Sequence, residues 1–518
     1  MQMSLCGNAP RAARLTRASL AAAIGLALTA PVRATDFVVT DPGDSGPGTL
    51  RQAAIDANGS AGPHTITFAL PPGTTIALTS GEMLFQSHDV AILGPGRNAL
   101  TISGSHASRI FEVQGDGTVT VSDLTLRDGL ALGNDSNAFD QRGGAILVGV
   151  PNEDFSLPPP PEVPGLALSH VDILDSAAYS PTDGGGGGVF MQDGTLTIDH
   201  CTVDGNFARR VGGGVAARRG VVTISDSAFT NNIADIATAA GEVIAEGGGI
   251  LINRSTGSMV RSIVRGNMMT DMNGIGAANG GGLVGAGFDM LAQFEAFRIE
   301  DSEFSDNVAD ALPFTLGGGI RCHEEAGGTL PTLTLVNSTI SGNLANYGVG
   351  IEVGCNMAIL NTTVANNTST NYYGDGGHPG IEAYSPNSGE QVQVTITSSI
   401  ISGNLGGGPD LAIYQYAGYY DPAFFGSNAL VLSVDGNETL PADTIIGVDP
   451  ALGPLANNGG ATRTHALMPG SVAIDAGTNP QALPYDQRGA PFAREIGAAA
   501  DIGAFELDSD RIFANGFD

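Results

Sequence analysis

A recurring asparagine, set each time in the same short pattern, limits what this chain can fold into more than any other feature. The stretch CTVDGNFARRVGGGV at residues 201–215 returns in outline as SAFTNNIAD, SEFSDNVAD and STISGNLAN. A Cys, Ser or Thr stands five positions before the Asn, and a Val, Phe or Ile stands three before it. The seven positions are Asn206, Asn232, Asn267, Asn307, Asn343, Asn367 and Asn404. A short unit repeated with loops of variable length is typical of a solenoid.

The residues around this Asn predict short parallel β-strands that stack. Apolar and small residues alternate there, and Gly and Asn mark the turns. Parallel strands lie about 4.8 Å apart and place like side chains above like, so one apolar column should face inward. That column is Val203, Phe229, Val264, Phe304, Ile340, Val364 and Ile401. The Asn amides would hydrogen-bond along the stack, which makes them a structural ladder and not catalytic groups.

Short motifs add a resemblance to a known family. They are GGAI at 143–146, GGGI at 247–250 and 317–320, FTNN at 229–232 and FSDN at 304–307. These resemble the repeats of polymorphic outer membrane proteins, and the chain as a whole is similar to bacterial right-handed parallel β-helices. The resemblance implies an all-β fold: a single-stranded right-handed parallel β-helix.

A longer match lies near the end of the chain. The segment DPALGPLANNGGATRTHALMPGSVAIDAG, followed by DQRGAPF and DIGAFE, resembles the choice-of-anchor Q module of bacterial surface β-helix proteins. That resemblance implies display outside the cytoplasm and no particular reaction.

The first 34 residues predict export. Arg11, Arg14 and Arg17 precede the apolar run ASLAAAIGLALTA, and small residues lead up to Ala34, as in a secretory signal peptide. No later run is long enough for a membrane helix, so we expect no transmembrane segment in the mature chain. The predicted divisions are 1–34 signal peptide, 35–118 N-terminal cap and first coils, 119–432 β-helix repeats, 433–507 C-terminal module and 508–518 tail.

A short helix is predicted to cap the open end of the solenoid. In GTLRQAAIDANG, Thr49 and Gln52 form a capping box. Leu50, Ala53, Ala54 and Ile55 form an apolar stripe, and Asn58 with Gly59 ends the helix. Such a helix would cover strand edges and core that are otherwise open to solvent.

The cysteines and the net charge limit which covalent links, ligands and reactions suit this chain. After the signal peptide three cysteines remain, and Cys322 and Cys355 occupy similar places in successive repeats, so they form either a disulfide or two buried thiols. The net charge is −31, and all 22 cationic residues are Arg. The acidity opposes nucleic-acid binding, and the absence of Lys removes Schiff-base and P-loop chemistry. We expect no metal and no cofactor.

One polar column invited a catalytic interpretation. Six residues before each Asn stand His200, Asp226, Arg261, Asp301, Asn337, Asn361 and Ser398. Stacking would place Arg261 between Asp226 and Asp301. Neighbouring coils bring carboxylates to the 5–9 Å separation of glycosidases almost automatically, so a solvated ion-pair ladder is the simpler interpretation. Arg261 or Arg321 could instead serve as the base of a polysaccharide lyase.

A binding surface has separate support, because eight of the ten tyrosines lie between residues 347 and 420. We predict that this region binds a glycan or another cell-surface component, unless its rings only pack the last loops. The predicted binding residues are Tyr372, Tyr373, Asp375, His378, Glu382, Tyr414 and Tyr416.

The sequence therefore favours an exported adhesin or structural module without catalysis. The alternative is a carbohydrate-active enzyme, a polysaccharide lyase or glycoside hydrolase, that works in a groove along the solenoid.

Overall fold

The computed structural model shows a parallel β-helix closed at its N-terminal end by a short helix, which confirms the predicted fold class. The structure describes residues 35–86, 88–132, 141–149, 162–179, 184–235, 245–270, 283–284, 288–292, 295–310, 315–324, 330–371, 374, 377–386, 389–415 and 418–508. The predicted signal peptide and residues 509–518 of the tail lie outside these ranges.

Within the described residues, three long sheets form the walls of the solenoid, and the strands described there are numbered in chain order. Sheet I has 24 strands: β1 Thr35–Val39, β2 His64–Phe68, β3 Thr74–Ala77, β5 Val90–Leu93, β6 Leu100–Ser103, β8 Thr118–Arg127, β11 Gly165–Leu174, β14 Thr195–Asp199, β15 Thr202–Asp204, β18 Val221–Ser225, β19 Ala228–Thr230, β23 Thr256–Val260, β24 Ile263–Arg265, β28 Ala296–Glu300, β29 Glu303–Ser305, β33 Thr332–Val336, β34 Thr339–Ser341, β37 Asn356–Leu360, β38 Thr363–Ala365, β41 Gln393–Thr397, β42 Ile400–Ser402, β44 Ala423–Ser427, β45 Leu430–Val431 and β46 Ile445–Ile446.

Sheet II has 11 strands: β4 Met83–Gln86, β7 Phe111–Gln114, β10 Ile146–Gly149, β13 Val189–Gln192, β17 Val215–Arg218, β22 Ile250–Asn253, β27 Phe288–Ala292, β32 Ile320–Glu324, β36 Ile351–Gly354, β40 Ile381–Ala383 and β43 Leu411–Ile413. Sheet III has eight: β9 Leu130–Leu132, β12 Ala177–Tyr179, β16 Phe207–Arg209, β20 Ile233–Asp235, β25 Met268–Thr270, β30 Val308–Asp310, β35 Leu344–Ala345 and β39 Thr368–Ser369. A small parallel sheet joins β21 Ala245–Glu246, β26 Leu283–Val284 and β31 Thr315–Leu316, and β47 Leu452–Ala456 pairs antiparallel with β48 Thr464–Leu467.

The predicted inward column forms without a break. Val203 pairs with Phe229, Phe229 with Val264, and the register continues through Phe304, Ile340 and Val364 to Ile401. All seven side chains are fully buried in the main hydrophobic core. Burial of such a column supplies most of the favourable free energy of a stacked solenoid, because a single coil cannot cover its own apolar face.

The recurring Asn stand directly above one another at the corner between sheets I and III. The side-chain Nδ2 of Asn206 donates to Oδ1 of Asn232 over 3.0 Å, and each later Asn repeats the contact up to Asn404. Each acceptor also receives the backbone N–H of the preceding Asn, as from Asn206 to Asn232. Asn404 ends the ladder on Asp410, 2.8 Å away. The amides thus satisfy buried backbone groups on every coil.

The N-terminal helix α1, Leu50–Gly59, covers the core as expected, but with two differences. Thr49 accepts the backbone N–H of Gln52, yet the Gln52 side chain donates to Asp56 and does not complete the capping box. Ala57 takes the core position that the sequence suggested for Ile55, which is 56% exposed. The helix is rotated accordingly, with Leu50, Ala53 and Ala54 on the buried face.

Residues of the C-terminal segment pack along the outer face of sheet I. Arg463 donates to Glu303, Gln487 accepts from Thr339, and Ser341 hydrogen-bonds with His465. A separate apolar cluster holds the contact together; its buried members are Ile400, Leu430, Leu467, Ala473, Ile502 and Phe505. Within the described ranges, no helix has the length and hydropathy needed to cross a membrane.

Candidate active site

The outer face of sheet II changes character along the solenoid. One column of outward side chains runs through eight neighbouring strands: Leu147, Phe190, Ala216, Leu251, Asp289, Arg321, Glu352 and Glu382. The first four are apolar and the last four are charged. We call Asp289, Arg321, Glu352 and Glu382 the charged row. Neighbours in it lie on strands about 4.8 Å apart.

Short contacts link the first members of the charged row. The Arg321 Nε donates to Glu352, and its Nη1 lies 3.8 Å from Asp289 Oδ2. His323, two residues along the same strand and on the same face, has its Nε2 2.7 Å from Arg321 Nη1 and 3.6 Å from Asp289 Oδ1. All these groups are largely buried, so their charges act in a medium that screens them weakly.

Burial shifts the pKa values of this site strongly. It raises the pKa of Asp289 well above its usual value, and the attraction of Arg321 offsets this only in part. Burial also raises the pKa of Glu352. The pKa of His323 is lowered well below 6.5 by burial and by the charge of Arg321. Near neutral pH His323 is therefore an uncharged base beside a permanently charged guanidinium.

Two further residues extend the site toward the C-terminal end. The Tyr384 hydroxyl hydrogen-bonds with Glu352. Its ring lies over Gly354 on the preceding strand, where an added Cβ would come within 2.5 Å of the Tyr384 ring carbon Cζ and hydroxyl. His378 Nδ1 lies 2.8 Å from Glu382 Oε1, and its ring meets that of Tyr347 edge-on at 5.7 Å.

A disulfide lies directly beneath the charged row. Cys322 points inward between Arg321 and His323, and it is bonded to Cys355, with the two Cα atoms 5.7 Å apart. The bond joins the coil of Arg321 to the coil of Glu352. It therefore restrains the two strands whose side chains form the closest ion pair of the site.

The polar column considered from sequence forms the outer corner of sheet I. Its seven residues all adopt positive φ angles, between 46° and 51°. Arg261 donates two hydrogen bonds to Asp226, of 2.7 and 2.6 Å, whereas Asp301 accepts from Asn337. The expected symmetric Asp–Arg–Asp arrangement is thus replaced by one ion pair and one amide contact. Burial raises the pKa of Asp301 to about 7.

A groove of about 560 Å³ lies beside this corner, lined by Arg97, His170, His200, Asp226 and Arg261 among others. Asp199, His200 and Asp226 approach closely enough to share a metal ion. However, Asp226 already binds Arg261 through both oxygens, and Asp199 accepts from Ser225. We infer no metal site there.

The structure places the predicted binding residues unevenly. Glu382 belongs to the charged row and His378 contacts it, and Tyr414 lies beyond Tyr384 on the next coil, with 46% of its surface exposed. Tyr372, Tyr373, Asp375 and Tyr416 lie outside the described residues. Sequence reasoning named Arg321 but did not connect it with Asp289, His323 or Glu352. The sequence does carry a signal. Each member of the charged row is the last residue of a triplet that begins with Gly and continues with Ile or Phe, in GFD, GIR and the two GIE stretches.

Comparison with known proteins gives the fold alone. No protein-family model matches the chain, and no curated protein matches it. The repeat and choice-of-anchor resemblances therefore remain predictions. Among solved structures, pectate lyase Pel9A is similar at 14% identity, with 92% of this chain and 98% of that chain covered and a TM-score of 0.42. The A-module of Azotobacter vinelandii mannuronan C-5 epimerase AlgE6 has 16% identity, 80% and 100% coverage and a TM-score of 0.46.

A rhamnogalacturonan lyase is similar at 11% identity over 93% of this chain and 98% of that chain, with a TM-score of 0.36. These neighbours act on polysaccharides, which contradicts the hypothesis of an adhesin or structural module without catalysis. That hypothesis is wrong and is not proposed again; the alternative of a carbohydrate-active enzyme is taken up below as a proposal. Because the identities are low, the reaction is argued below from the residues of this chain.

Proposed function

We propose that this protein is a polysaccharide-cleaving enzyme whose chemistry takes place on the charged row of sheet II, by elimination at a uronic acid residue. The observation that carries the proposal is the contact between His323 Nε2 and Arg321 Nη1, 2.7 Å apart, in a setting where burial and the charge of Arg321 lower the pKa of His323. A base that stays unprotonated at neutral pH, next to a cation, suits the removal of a proton next to a carboxylate.

Each group has a distinct task in this reaction. Arg321 pairs with the sugar carboxylate and stabilises the negative charge that develops when the C5 proton leaves. His323 Nε2 accepts that proton. In the structure this nitrogen faces Arg321 Nη1. A bound sugar carboxylate would draw the guanidinium away, so His323 Nε2 becomes free to act as a base only when substrate is present. The Tyr384 hydroxyl, held at Glu352, is placed to donate a proton to the leaving oxygen.

This elimination needs no reactant other than the polymer, His323 and Tyr384. The C5–H and C4–O bonds break, and a C4–C5 double bond forms. The proton from C5 goes to His323, and the departing oxygen receives one from Tyr384. The products are a new non-reducing end with an unsaturated uronate and a new reducing end.

A second reaction has one specific observation in its favour. Glu352 and Glu382 face outward from neighbouring strands about 4.8 Å apart, near the separation of the two carboxyl groups in retaining glycosidases. Burial and the charge of Glu382 raise the pKa of Glu352, as a general acid requires. Hydrolysis would give reducing ends without unsaturated uronate.

The proposal includes export. The leader-like residues 1–34 and the Cys322–Cys355 bond both suit a compartment outside the cytoplasm. Residues 433–507 and the tail 508–518 would then hold the enzyme at the cell surface, as the choice-of-anchor resemblance implies. Full-length protein and a form ending at residue 507 should partition differently between cells and medium, and equal partition would remove the tail from this proposal.

The decisive experiment incubates the mature protein with a panel of acidic and neutral polysaccharides and records reducing ends and the ultraviolet absorbance of unsaturated uronates. We expect both signals to rise together on at least one uronate polymer, and to vanish in His323→Gln. A control variant, Arg298→Gln, changes a part-exposed arginine of sheet I that pairs with Glu300 and should retain activity. Reducing ends without unsaturated uronate would replace elimination by hydrolysis, and no cleavage of any polymer would overturn the proposal.

A further inference from the structure

The apolar half of the outer face of sheet II is covered although it points away from the core. Leu147, Phe190, Ala216 and Leu251 form a cluster with Val211 that is separate from the main core, and none of the five is more than 3% exposed. An outward apolar patch of this kind needs a cover. Part of that cover consists of guanidinium groups.

Two arginines lie over the Phe190 ring of this patch, and two more lie close to them. The Arg142 guanidinium carbon lies 5.0 Å from the centre of the Phe190 ring, and that of Arg218 lies 5.6 Å from it. Arg142 donates to Gln192 over 3.1 Å, and Arg219 forms an ion pair with Asp193. We call Arg142, Arg210, Arg218 and Arg219 the arginine cluster.

Like charges lie close together in this cluster. Burial lowers the pKa of Arg210, and the neighbouring charge of Arg218 lowers it further, whereas Glu246 acts in the opposite direction. The whole chain has 22 arginines against 53 acidic residues, so this patch is more cationic than the chain as a whole. Three of the cluster's members, Arg210, Arg218 and Arg219, come from the paired arginines of the stretch ARRVGGGVAARRG.

The arginine cluster and the charged row share one surface. Arg218 ends strand β17, and Asp289 lies on β27, two strands or about 10 Å further along the solenoid axis and two residues away along the strand direction. Glu246 influences the pKa of Arg210 and of Asp289, so both groups lie within its electrostatic reach. A polymer that lies along the solenoid axis over Arg321 would therefore extend over Arg218.

We infer that Arg210 and Arg218, half-buried members of the arginine cluster, bind the carboxylates of an acidic polysaccharide and hold the part of the polymer that lies on the N-terminal side of the charged row, whereas the fully buried Arg142 only supports them. This inference rests on the proposed function, because that function places a polymer on sheet II. Guanidinium groups match carboxylates in a fork of two hydrogen bonds, and the Phe190 ring beneath holds the fork in place. The substrate class would then be a polyuronate, and neutral glycans would bind weakly.

The test measures binding separately from cleavage. Full mature protein carrying His323→Gln is titrated calorimetrically with polygalacturonate and with alginate, each compared with its neutral ester. A double variant, Arg210→Gln with Arg218→Gln, is compared with the control Arg298→Gln in the same background, and thermal melting confirms that each is folded. Arg218→Lys keeps the charge and removes the fork.

We expect at least one acid polymer to bind more tightly than its ester, and the double variant to lose about tenfold or more of that affinity. Arg298→Gln should bind normally, Arg218→Lys should fall between, and added salt should weaken binding. Equal binding of acid and ester, no binding of either acid polymer, or an unchanged double variant would overturn the inference. If the wild type cleaves a polymer but the double variant binds that polymer as tightly as the control does, this subsite is refuted and the enzyme proposal stands. If binding depends on the arginines but the wild type cleaves nothing, the enzyme proposal is refuted and the binding site stands.

Discussion

The asparagine ladder and the charged row are built by the same stacking geometry, yet they differ in every physical respect. In the ladder each coil contributes the same amide, and each amide Nδ2 donates to the Oδ1 of the next, over 2.8–3.0 Å. In the charged row each coil contributes a different group, and the register brings Asp289, Arg321 and Glu352 side by side.

The difference shows how a solenoid separates stability from chemistry. Like groups that can both donate and accept satisfy one another without limit, so an amide column can be fully buried at little cost. Carboxyl and guanidinium groups at the same spacing do not satisfy one another in this way. Burial removes them from water, and their pKa values shift as a result. Strongly shifted pKa values cluster at functional sites. We therefore assign the catalytic function to the charged row and a purely stabilising role to the asparagine ladder.

The largest effect that this contrast predicts is on His323. Replacing it with Gln should lower the rate of polysaccharide cleavage by about 10²–10⁴-fold, because the proton acceptor is lost. The midpoint of thermal unfolding should change little, since His323 lies on the outer face of the sheet and contributes nothing to the core. Initial rates and melting curves of the same preparation provide the check. A stable variant that is fully active would place the base elsewhere.

Gly354→Ala should act on the same site through position alone. The added methyl would collide with the Tyr384 ring, so the hydroxyl moves away from Glu352. A displacement of this size costs about 10²-fold in rate when the moved group takes part in catalysis. The matched control is Tyr384→Phe, which keeps the ring and removes the hydroxyl. If Gly354→Ala is slow while Tyr384→Phe is fully active, the ring and not the hydroxyl matters, and the proton donor must be another group.

The ladder should respond in the opposite way. Asn307→Ala leaves the Asn267 amide and backbone N–H without their acceptor, which should lower the free energy of unfolding by about 1–3 kcal/mol. The cleavage rate per folded molecule should not change. Denaturant unfolding and initial rates at a temperature well below the melting point measure the two quantities. Lost activity with unchanged stability would mean that the ladder has a catalytic role.

The smallest effect concerns pH, to which the amides of the ladder are indifferent. Because the pKa of Asp289 is raised in the folded protein, the unfolded chain releases this proton first as the pH rises above about 4. Asp289 therefore destabilises the fold progressively as the pH rises from its unfolded pKa toward its higher folded pKa, by about 1.4 kcal/mol for each pH unit in that range. Asp289→Asn should gain stability relative to wild type over that range, whereas a constant difference at all pH values would contradict the raised pKa.

Much of the fold could be predicted from sequence because its determinants repeat. Seven Asn with Val203, Phe229 and their equivalents at fixed offsets define strands, corners and the inward column without any knowledge of loop lengths. The helix was also predictable from Thr49 and Gly59, but its rotation about its own axis was not. The sequence pattern does not decide whether the face with Ile55 or the face with Ala57 meets the core, and the structure buries Ala57.

The charged row could be recognised only in part, because it does not repeat. Asp289, Arg321 and Glu352 are different residues separated by 32 and 31 positions, and no local pattern marks them as neighbours. Their proximity depends on the register of sheet II, which the Asn offsets do not determine, since loops of different length separate the two. His378 and Glu382 were found only because tyrosines drew attention to that region.

A crystal structure of His323→Gln with a bound uronate tetrasaccharide would show whether sheet II is the surface on which a polysaccharide is processed. We predict a sugar carboxylate on the Arg321 guanidinium, with the chain running along the solenoid axis toward Arg218. An oligosaccharide bound instead in the corner groove beside His170 and His200, or none on sheet II at saturating concentration, would contradict this role of sheet II.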